Sequence, residues 1–319
     1  MSNAAISFPM LGSWSICPPN SFVLLGHTFY WYGVIIACGF LLAVSYAYRR
    51  CGEFGIRQDD FTDVLLFGVP LGIIGARIYY IVFFGNYNTL GEMIAIWEGG
   101  LAIYGGVIAA AITVVVVCRV KKISALAVLD IVAFGLLIGQ CVGRWGNFMN
   151  REAFGSETDI LWRMGLTLGG ETIYVHPTFL YESLWNLCGF IGLHVWSRRH
   201  TRAFDGQIFL MYVAWYGLGR VWIEGLRTDS LYLPGTAVRV SQLLAGVSCA
   251  AAAAIIAFVL KRGKCSPDKL WVNRAGLVSA GTDDTADDTV NAAEAEASPV
   301  TENTPDTEAS PNADSAADA

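Results

Sequence analysis

Long apolar runs separated by short polar stretches fill the chain as far as residue 262. A membrane-spanning α-helix needs about 20 consecutive, mostly apolar residues. The pattern therefore predicts an all-α integral membrane protein with seven transmembrane helices. The seven predicted spans are Phe29–Tyr48, Phe61–Phe84, Leu101–Val120, Leu126–Phe148, Pro177–Trp196, Gly206–Ile223 and Val240–Leu260.

Basic residues give the seven spans an orientation. Clusters of Lys and Arg follow the first, third, fifth and seventh spans, as in Arg49–Arg50 and Lys121–Lys122. Because cytoplasmic loops carry an excess of Lys and Arg, these ends are expected in the cytoplasm. We therefore expect the N-terminus outside and the C-terminus inside.

Composition divides the chain into unlike parts. Of its 319 residues, 54% are hydrophobic and 15% are charged, against about 25% charged in soluble domains. Residues 275–319 hold eleven Asp and Glu and no Lys or Arg, which leaves a net charge of +5 on the rest. Such a segment cannot bury a core and is expected to be disordered. The predicted parts are an extracytoplasmic segment 1–28, a seven-helix catalytic domain 29–262 and a cytoplasmic acidic tail 263–319, which is either dispensable or regulatory.

Seven arginines remain after the cytoplasmic clusters are set aside, and no lysine is among them. Six lie at or near the outer ends of spans, where the orientation rule does not require them. Arginine without lysine favours bidentate recognition of a phosphate or carboxylate. The alternative is that each pairs with a nearby carboxylate. The seven are Arg77, Arg144, Arg151, Arg163, Arg220, Arg227 and Arg239.

Two spans present polar stripes at their outer ends. In the sixth, Tyr216, Arg220, Glu224 and Arg227 lie within a stripe of roughly 80°, with Glu224 expected to neutralise and orient the arginines. At the end of the fourth, in "GRWGNFMNREAFG", Arg144 and Asn147 share a face with Arg151, and Gly143 and Gly146 would allow a helix or lipid to approach. Ionisable groups in membrane helices are costly, so a functional site is the default interpretation.

Further polar residues accompany these stripes. Tyr32 opens the first span, and Arg77 in "GARIYY" is expected to need an anionic partner inside the second span. His176 in "HPTFLYE" fits a cap or interfacial residue better than a base, and Tyr181 and Glu182 follow one turn into the fifth span.

The sequence does not assign a single role to Asn150, Glu152 or Tyr104. Asn150 and Glu152 either hold a lipid headgroup or close the outer end of the fourth span. Tyr104 stands beside two glycines at the start of the third span. Together the polar groups predict a pocket at the outer leaflet that is open to lipid and holds a phosphate headgroup. No cofactor or metal signature occurs, and we expect neither.

The motifs resemble those of the prolipoprotein diacylglyceryl transferases. "GRWGNFMNREAFG" is similar to that family's signature, and "WYG", "GARIYY", "HPTFLYE", "YGLGRVWIEGLRTDSL" and "RVSQLLA" follow in the family's order across 21–262. By this resemblance Arg144 is the arginine that binds phosphatidylglycerol, Asn147 a required asparagine, and Arg220 a residue of the reaction centre with Glu224 as companion. Tyr32 matches the family's tyrosine near the first span.

The resemblance implies a bacterial plasma-membrane enzyme with an outward-facing site. It would transfer the diacylglyceryl group of phosphatidylglycerol to the lipobox cysteine of a prolipoprotein, form a thioether and release glycerol phosphate, the first step of lipoprotein maturation. Its partners would be those substrates and the bilayer, with no nucleic acid. The residues expected to contact phosphatidylglycerol are Arg144, Tyr32, Arg77, Asn150, Glu152, His176, Tyr181, Glu182 and Arg227.

One position departs from the family pattern. Many members have a histidine, considered as a base, where this chain has Tyr104. A mechanism that requires that histidine cannot describe this chain. We expect Arg144 and Arg220 to bind the phosphate. We expect Tyr104, Tyr32 or Glu182 to accept the proton of the cysteine thiol.

Other functions fit the sequence less well. A transporter or flippase of an anionic substrate would also need buried arginines, but at mid-depth and on both sides. A seven-helix signalling protein would not need arginines at its outer helix ends. An intramembrane protease would need a Ser–His, paired-Asp or metal motif, and none is found.

Overall fold

The computed structural model describes residues 4–274 apart from residues 86, 88, 229–231, 233, 234, 237 and 264. Its helices, in chain order, are α1 Trp31–Arg50, α2 Gln58–Phe84, α3 Leu90–Ile94, α4 Ile103–Lys121, α5 Ala125–Asn150, α6 Thr178–Arg199, α7 Gln207–Glu224, α8 Val240–Lys261 and α9 Trp271–Arg274. Its strands are β1 Ala5–Ser7, β2 Ser15–Ile16, β3 Ser21–Leu24, β4 His27–Tyr30, β5 Met164–Leu168 and β6 Glu171–Val175.

The seven longest helices of the described residues begin and end within three residues of the predicted segments. Five of them, α1, α2, α4, α5 and α8, are long and apolar enough to cross a membrane. Helices α6 and α7 are the two that fall below this measure. They carry polar side chains such as Glu182, Asn186 and Glu224, which are buried against neighbouring helices. The predicted acidic tail lies almost entirely outside the described residues.

The long helices pack in pairs. Helix α1 lies against α5, α2 against α4, α5 against α6, and α7 against α8. Between α6 and α7, the rings of Trp185 and Trp215 stack with centroids 4.3 Å apart. Each indole N–H also donates to the other residue's backbone carbonyl at 3.0 Å. Because Gly189 and Gly219 have no Cβ, the two rings can lie directly on the opposite helix.

The predicted cytoplasmic end of the bundle is held by a buried carboxylate. Asp130 of α5 is fully buried and accepts hydrogen bonds from the backbone N–H groups of Gly206 and Phe209 at 2.8 and 2.9 Å. These donors belong to the first turn of α7, whose N–H groups have no partner within the helix. Arg202 pairs with the same carboxylate at 3.1 Å. This contact fixes α7 against α5, far along the helices from the polar outer ends.

Two small antiparallel sheets cover the opposite end of the bundle, and the sequence analysis did not predict them. The four-stranded sheet has the order β2-β1-β5-β6, and β3 pairs with β4 as a hairpin that leads into α1. Ile6, Leu166 and Val175 of the larger sheet pack on Phe179 in the first turn of α6. Strands of two to five residues are too short to give a clear period-2 pattern, so these elements carry little sequence signal.

Candidate active site

Glu182 is the centre of a cluster of three arginines from three different helices or helix ends. Its carboxylate lies 2.5 Å from Nη2 of Arg144, 3.3 Å from Nη1 of Arg220 and 3.3 Å from Nη1 of Arg227. The carboxylate is almost completely buried, whereas the arginine side chains keep between 11% and 20% of their surface exposed. The cations therefore remain accessible to a second anion while Glu182 holds them in place.

Glu224 forms a second anchor on α7. Its Oε2 lies 2.7 Å from Nη2 of Arg220, and its Oε1 accepts a hydrogen bond from the hydroxyl of Ser241 on α8 at 2.7 Å. The side chain is buried. Glu224 therefore orients Arg220, as the helix spacing predicts. The carboxylate that joins Arg144, Arg220 and Arg227 is Glu182. The sequence predicted that Glu182 lies in the pocket but not that it links the arginines.

A chain of hydrogen bonds runs from Arg144 to the end of α5. Nη1 of Arg144 donates to Oδ1 of Asn147 at 3.2 Å, and Nδ2 of Asn147 donates to Oε1 of Glu152 at 3.0 Å. Asn150 donates to the same oxygen at 3.3 Å. Glu152 and Asn150 thus close the outer end of α5, which is one of their two predicted roles. Through Glu152 they also position Asn147, which is expected to contact the lipid headgroup. Closing the helix end and supporting the headgroup site are therefore compatible roles.

An apolar cleft of about 590 Å³ leads to this network along the length of α5. Its polar end is formed by Tyr32, Arg144 and Asn147, and its walls are otherwise mostly aliphatic and aromatic side chains of α1 and α5. From Ile131 to Asn147 the cleft follows α5 for about 24 Å at ~1.5 Å per residue. That distance covers most of the hydrocarbon thickness of a bilayer, which is about 30 Å.

Close helix contact at two glycines forms one wall of the cleft. A Cβ on Gly146 would lie 2.7 Å from Cδ2 of Tyr32, and a Cβ on Gly143 would lie 3.1 Å from Cδ1 of Ile36. The glycines of the fourth predicted span therefore admit α1, as the sequence suggested for a neighbouring helix. The contact places the Tyr32 ring beside Arg144 at the polar end of the cleft.

Backbone carbonyl oxygens surround the guanidinium of Arg77. Among the described residues its guanidinium donates to four backbone carbonyls, those of Met93, Gly99, Gly100 and Glu92, at 2.6–3.0 Å. Four carbonyl dipoles satisfy a buried guanidinium without a formal negative charge. Through these contacts Arg77 fixes the loop between α2 and α4, and the expected anionic partner stays a prediction.

Three of the other predicted arginines also lie apart from Glu182. Arg151 ends α5 with a left-handed φ of 50°, and its buried guanidinium binds the backbone of Ala4 at 3.1 Å, so it does not share a face with Arg144. Arg163 pairs with Asp159 at 3.6 Å and lies over the ring of Tyr174. Arg163 thus satisfies the alternative in which an arginine pairs with a nearby carboxylate, whereas Arg151 stabilises the fold through a backbone contact.

Arg239 is the third of these arginines. It donates to the hydroxyl of Tyr232 at 3.2 Å and to the backbone carbonyl of Glu224. Arg239 therefore fastens the start of α8 to the end of α7. The arginine stripe of the sequence thus divides into a cluster of three around Glu182 and a set that holds loops and termini.

Tyr104 is not part of the polar cluster. Ile103 lines the cleft, but Tyr104 is absent from its walls, and its half-exposed hydroxyl makes no hydrogen bond to any described residue. Tyr104 belongs to α4, which packs on α2 rather than on α6 or α7. Of the three predicted proton acceptors, Tyr32 lines the polar end of the cleft, Glu182 contacts Arg144 at that end, and Tyr104 does neither among the described contacts.

His176 and Tyr181 form a separate contact above α6. The Tyr181 hydroxyl accepts a hydrogen bond from Nε1 of Trp162 at 2.8 Å and lies 3.3 Å from Nδ1 of His176. Burial lowers the pKa of His176 below its ordinary value. Both side chains hold the loop before β5 on the bundle, which agrees with the capping or interfacial role predicted for His176.

Metal ligands are not gathered at this site. Within the described ranges, no three side chains among His, Cys, Asp and Glu lie close enough together to hold a metal ion. Among the residues that the structure describes, the three guanidiniums of the cluster contact the two carboxylates Glu182 and Glu224. Its chemistry is therefore that of an anion site beside an apolar channel.

Comparison with known proteins gives one consistent family. The family model described as prolipoprotein diacylglyceryl transferase matches residues 19–258. The chain is 46% identical over 259 residues to the phosphatidylglycerol–prolipoprotein diacylglyceryl transferase of Lactobacillus delbrueckii subsp. bulgaricus, covering 77% of this chain and 91% of the relative. It is similarly related to the proteins of the same name from Limosilactobacillus reuteri (45% over 252 residues; 75% and 90% covered) and Listeria welshimeri (42% over 259 residues; 78% and 91% covered).

Proposed function

The chain belongs to the prolipoprotein diacylglyceryl transferase family and is a transferase, and on this premise we propose that it moves the diacylglyceryl group of phosphatidylglycerol onto the lipobox cysteine thiol of a prolipoprotein. The observation that carries this proposal is the position of Arg144. It lines the polar end of a long apolar cleft and at the same time belongs to the arginine cluster of Glu182. A lipid needs both environments, one for its chains and one for its phosphate.

In the proposed complex, the acyl chains of the lipid lie in the cleft between α1 and α5, and its phosphate binds Arg144 and Arg220. Asn147 donates to the phosphate through Nδ2 and accepts from a headgroup hydroxyl through Oδ1. Glu152 and Asn150 keep Asn147 in position. The phosphate replaces Glu182 on the accessible side of Arg144. Glu182 then remains paired with Arg220 and Arg227.

The reaction is a displacement at an sp³ glycerol carbon. A bond forms between the cysteine sulfur and that carbon, and the bond between the carbon and the phosphate oxygen breaks. Glycerol phosphate leaves with the electron pair of the broken bond. Arg144 and Arg220 stabilise the negative charge that develops on the departing phosphate, and such preorganised electrostatic stabilisation is usually the largest single contribution to catalysis.

The thiol proton must leave before or during the displacement. Neighbouring arginines lower the pKa of a cysteine, which is about 8.5 when unperturbed. The acceptor is Tyr32, which lines the polar end of the cleft, or Glu182, which contacts Arg144 at that end. Once the phosphate has replaced Glu182 on Arg144, that carboxylate has one fewer cation bound and is a better acceptor.

The same proposal includes the membrane arrangement. All seven long helices cross a bacterial plasma membrane, with the cluster of Glu182 facing outward and the basic ends of α1, α4, α6 and α8 in the cytoplasm. The polar residues of α6 and α7 face the interior of the bundle, which permits two less apolar helices to span a bilayer. The parts 1–28, 29–262 and 263–319 keep their proposed roles as outer segment, catalytic domain and cytoplasmic tail.

The test uses the purified full chain in liposomes with phosphatidylglycerol and a lipobox peptide. We expect the wild type to produce lipidated peptide and glycerol phosphate in equal amounts. Arg144→Ala should produce neither, whereas Arg119→Ala, an exposed arginine at the opposite end of α4, should produce both. A wild-type chain that transfers nothing from phosphatidylglycerol would overturn the proposed function.

A further inference from the structure

A small cavity lies between α6 and α7 on the inner side of the arginine cluster. Its volume is about 10 Å³, and it is lined by Glu182, Trp185, Asn186, Tyr216, Gly219, Arg220 and Ile223. Four of these residues have polar side-chain groups close to the cavity. This volume corresponds to the space that one water molecule requires.

Asn186 shows that the cavity needs a hydrogen-bond donor. The residue is 2% exposed, and its Nδ2 donates to the backbone carbonyl of Glu182 at 2.8 Å. Because a carbonyl can only accept, the amide cannot be turned over without losing this bond. Its Oδ1 must therefore face the other way, and this atom has no hydrogen-bond partner among the described residues.

Gln140, the other buried amide of this kind, is less constrained. The amide nitrogen of Gln140, Nε2, donates to the hydroxyl of Tyr212 at 2.9 Å. The amide oxygen, Oε1, has no hydrogen-bond partner among the described residues. A hydroxyl can also donate, so the Gln140 amide can reverse and satisfy its oxygen on Tyr212. The Asn186 amide cannot reverse in this way, because its partner is a backbone carbonyl, which cannot donate. An acceptor buried without a donor is unfavourable, and a bound water is the usual remedy in a polar cavity of this size.

We propose that this cavity binds one structural water molecule that donates to Oδ1 of Asn186 and contacts Glu182, and that Asn186 is a positioning residue for the arginine cluster. The second part rests on the proposed function. Tyr216 and Arg220 line the same cavity, so with Asn186 and Glu182 they can supply the two to four polar partners that a buried water requires. Asn186 acts from one helical turn below Glu182, without touching the substrate.

The consequence concerns the geometry of Glu182. Its backbone is held by Asn186 through the carbonyl contact, and its carboxylate is held from above by Arg144, Arg220 and Arg227. When the lipid phosphate takes Arg144, the bound water prevents the carboxylate from moving down between α6 and α7. Loss of the water should therefore affect the chemical step more than lipid binding.

Two variants and one control separate this role from simple packing. Asn186→Leu has a similar volume but cannot bind the water. Asn186→Ser retains a hydroxyl that can donate to the carbonyl of Glu182 and leaves room for water. Leu193→Ala is the control, because Leu193 is a buried residue of the other half of α6 and its truncation destabilises the fold without reaching the cavity.

The first readout is independent of activity. A structure of the wild type at a resolution that resolves ordered water should show density within hydrogen-bond distance of Oδ1 of Asn186, and the density should be absent in Asn186→Leu. No density in the wild type would overturn the proposed water site. This holds even if the wild type proves unable to transfer lipid, an outcome that would overturn the proposed function instead.

The second readout is kinetic. We expect Asn186→Leu to lower kcat about tenfold, the effect of losing one buried hydrogen bond in the transition state, with KM for phosphatidylglycerol changed by less than about twofold. Asn186→Ser should recover most of kcat. If Asn186→Leu and Leu193→Ala lower the melting temperature equally and both retain kcat, Asn186 has only a packing role and the positioning proposal fails.

Discussion

Nη2 of Arg144 lies 2.5 Å from Oε2 of Glu182, so the arginine at the polar end of the cleft is paired with a carboxylate of the neighbouring helix. This carboxylate occupies the side of the guanidinium that a phosphate would take. The Glu182 carboxylate therefore pairs with all three arginines in the absence of substrate. This pairing avoids the electrostatic free-energy cost of three neighbouring unpaired cations. Under the proposed function, the lipid phosphate would take the place of Glu182 on Arg144.

Replacement of Glu182 by Gln tests this exchange. The variant should have a lower melting temperature because Arg144, Arg220 and Arg227 lose their shared counter-charge. Inorganic phosphate should restore part of the loss, raising the melting temperature of Glu182→Gln by about 2–4 °C more than that of the wild type, a difference of roughly 1 kcal/mol. The measurement is thermal unfolding in detergent with and without phosphate. Equal shifts in both proteins would contradict a shared anion position.

Arg144→Lys distinguishes charge from geometry at the same site. A lysine keeps the positive charge but cannot bind Glu182 and Asn147 through two nitrogens, as Arg144 does. We expect kcat/KM for transfer to fall by about 10²-fold, within the range for loss of one transition-state donor. Arg119→Lys at the exposed C-terminal end of α4 is the matched control and should leave transfer unchanged. Wild-type activity in Arg144→Lys would mean that charge alone suffices.

The helix positions could be predicted from the sequence because apolar runs of about 20 residues are a strong signal. The spacing of Arg220 and Glu224 also predicted their ion pair correctly, since residues four apart meet on one face of a helix. Contacts within one helix depend on a known periodicity. They need no information about how helices pack.

Contacts between helices could not be predicted in the same way. Glu182 was placed in the pocket, but its pairing with three arginines depends on how α5, α6 and α7 come together, which no local pattern encodes. For Arg77 the expected partner was an anion, and no local pattern indicated that the loop of Gly99 and Gly100 would supply carbonyl oxygens to its guanidinium. Arg151 was misplaced because α5 ends there with a left-handed residue that turns its side chain away.

Gly219→Ala tests whether the contact of α6 with α7 supports the cluster. A methyl group on Gly219 would collide with the Trp185 indole, and the stacked pair of Trp185 and Trp215 would have to separate. Arg220 follows directly in the chain, so its contact with Glu182 should also weaken. We expect lower thermal stability and at least about tenfold lower transfer. Gly192→Ala is the matched control, because a Cβ there meets nothing within 4 Å, and it should be neutral or slightly stabilising. Equal behaviour of the two variants would contradict the prediction.

His176 should make the fold sensitive to mild acid. Burial lowers its pKa in the folded protein below the ordinary value of 6.5, so the unfolded chain binds a proton at a higher pH than the folded chain does. Stability is therefore unaffected well above pH 6.5 and decreases as the pH falls through that value. We expect the melting temperature to fall between about pH 7.5 and 5.5, and to fall less in His176→Gln. An identical pH dependence in the two proteins would exclude His176 as a cause.

The proton acceptor can be narrowed by comparing two tyrosines. Tyr32 packs on Gly146 at the polar end of the cleft, whereas Tyr104 has an exposed hydroxyl on α4 and is absent from the cleft walls. If a tyrosine hydroxyl handles the thiol proton, its removal should lower kcat and change the pH profile of transfer, with little effect on lipid binding.

We expect Tyr104→Phe to retain transfer within about threefold of the wild type. Tyr32→Phe should lower kcat by about tenfold or more, within the typical range for general acid–base catalysis. The measurement is the rate of peptide lipidation in liposomes across pH, with both variants reconstituted at equal protein density. A loss confined to Tyr104→Phe would mean that α4 moves toward Glu182 when substrate binds. A loss in neither variant would leave Glu182 as the acceptor, because it is the remaining candidate that contacts Arg144.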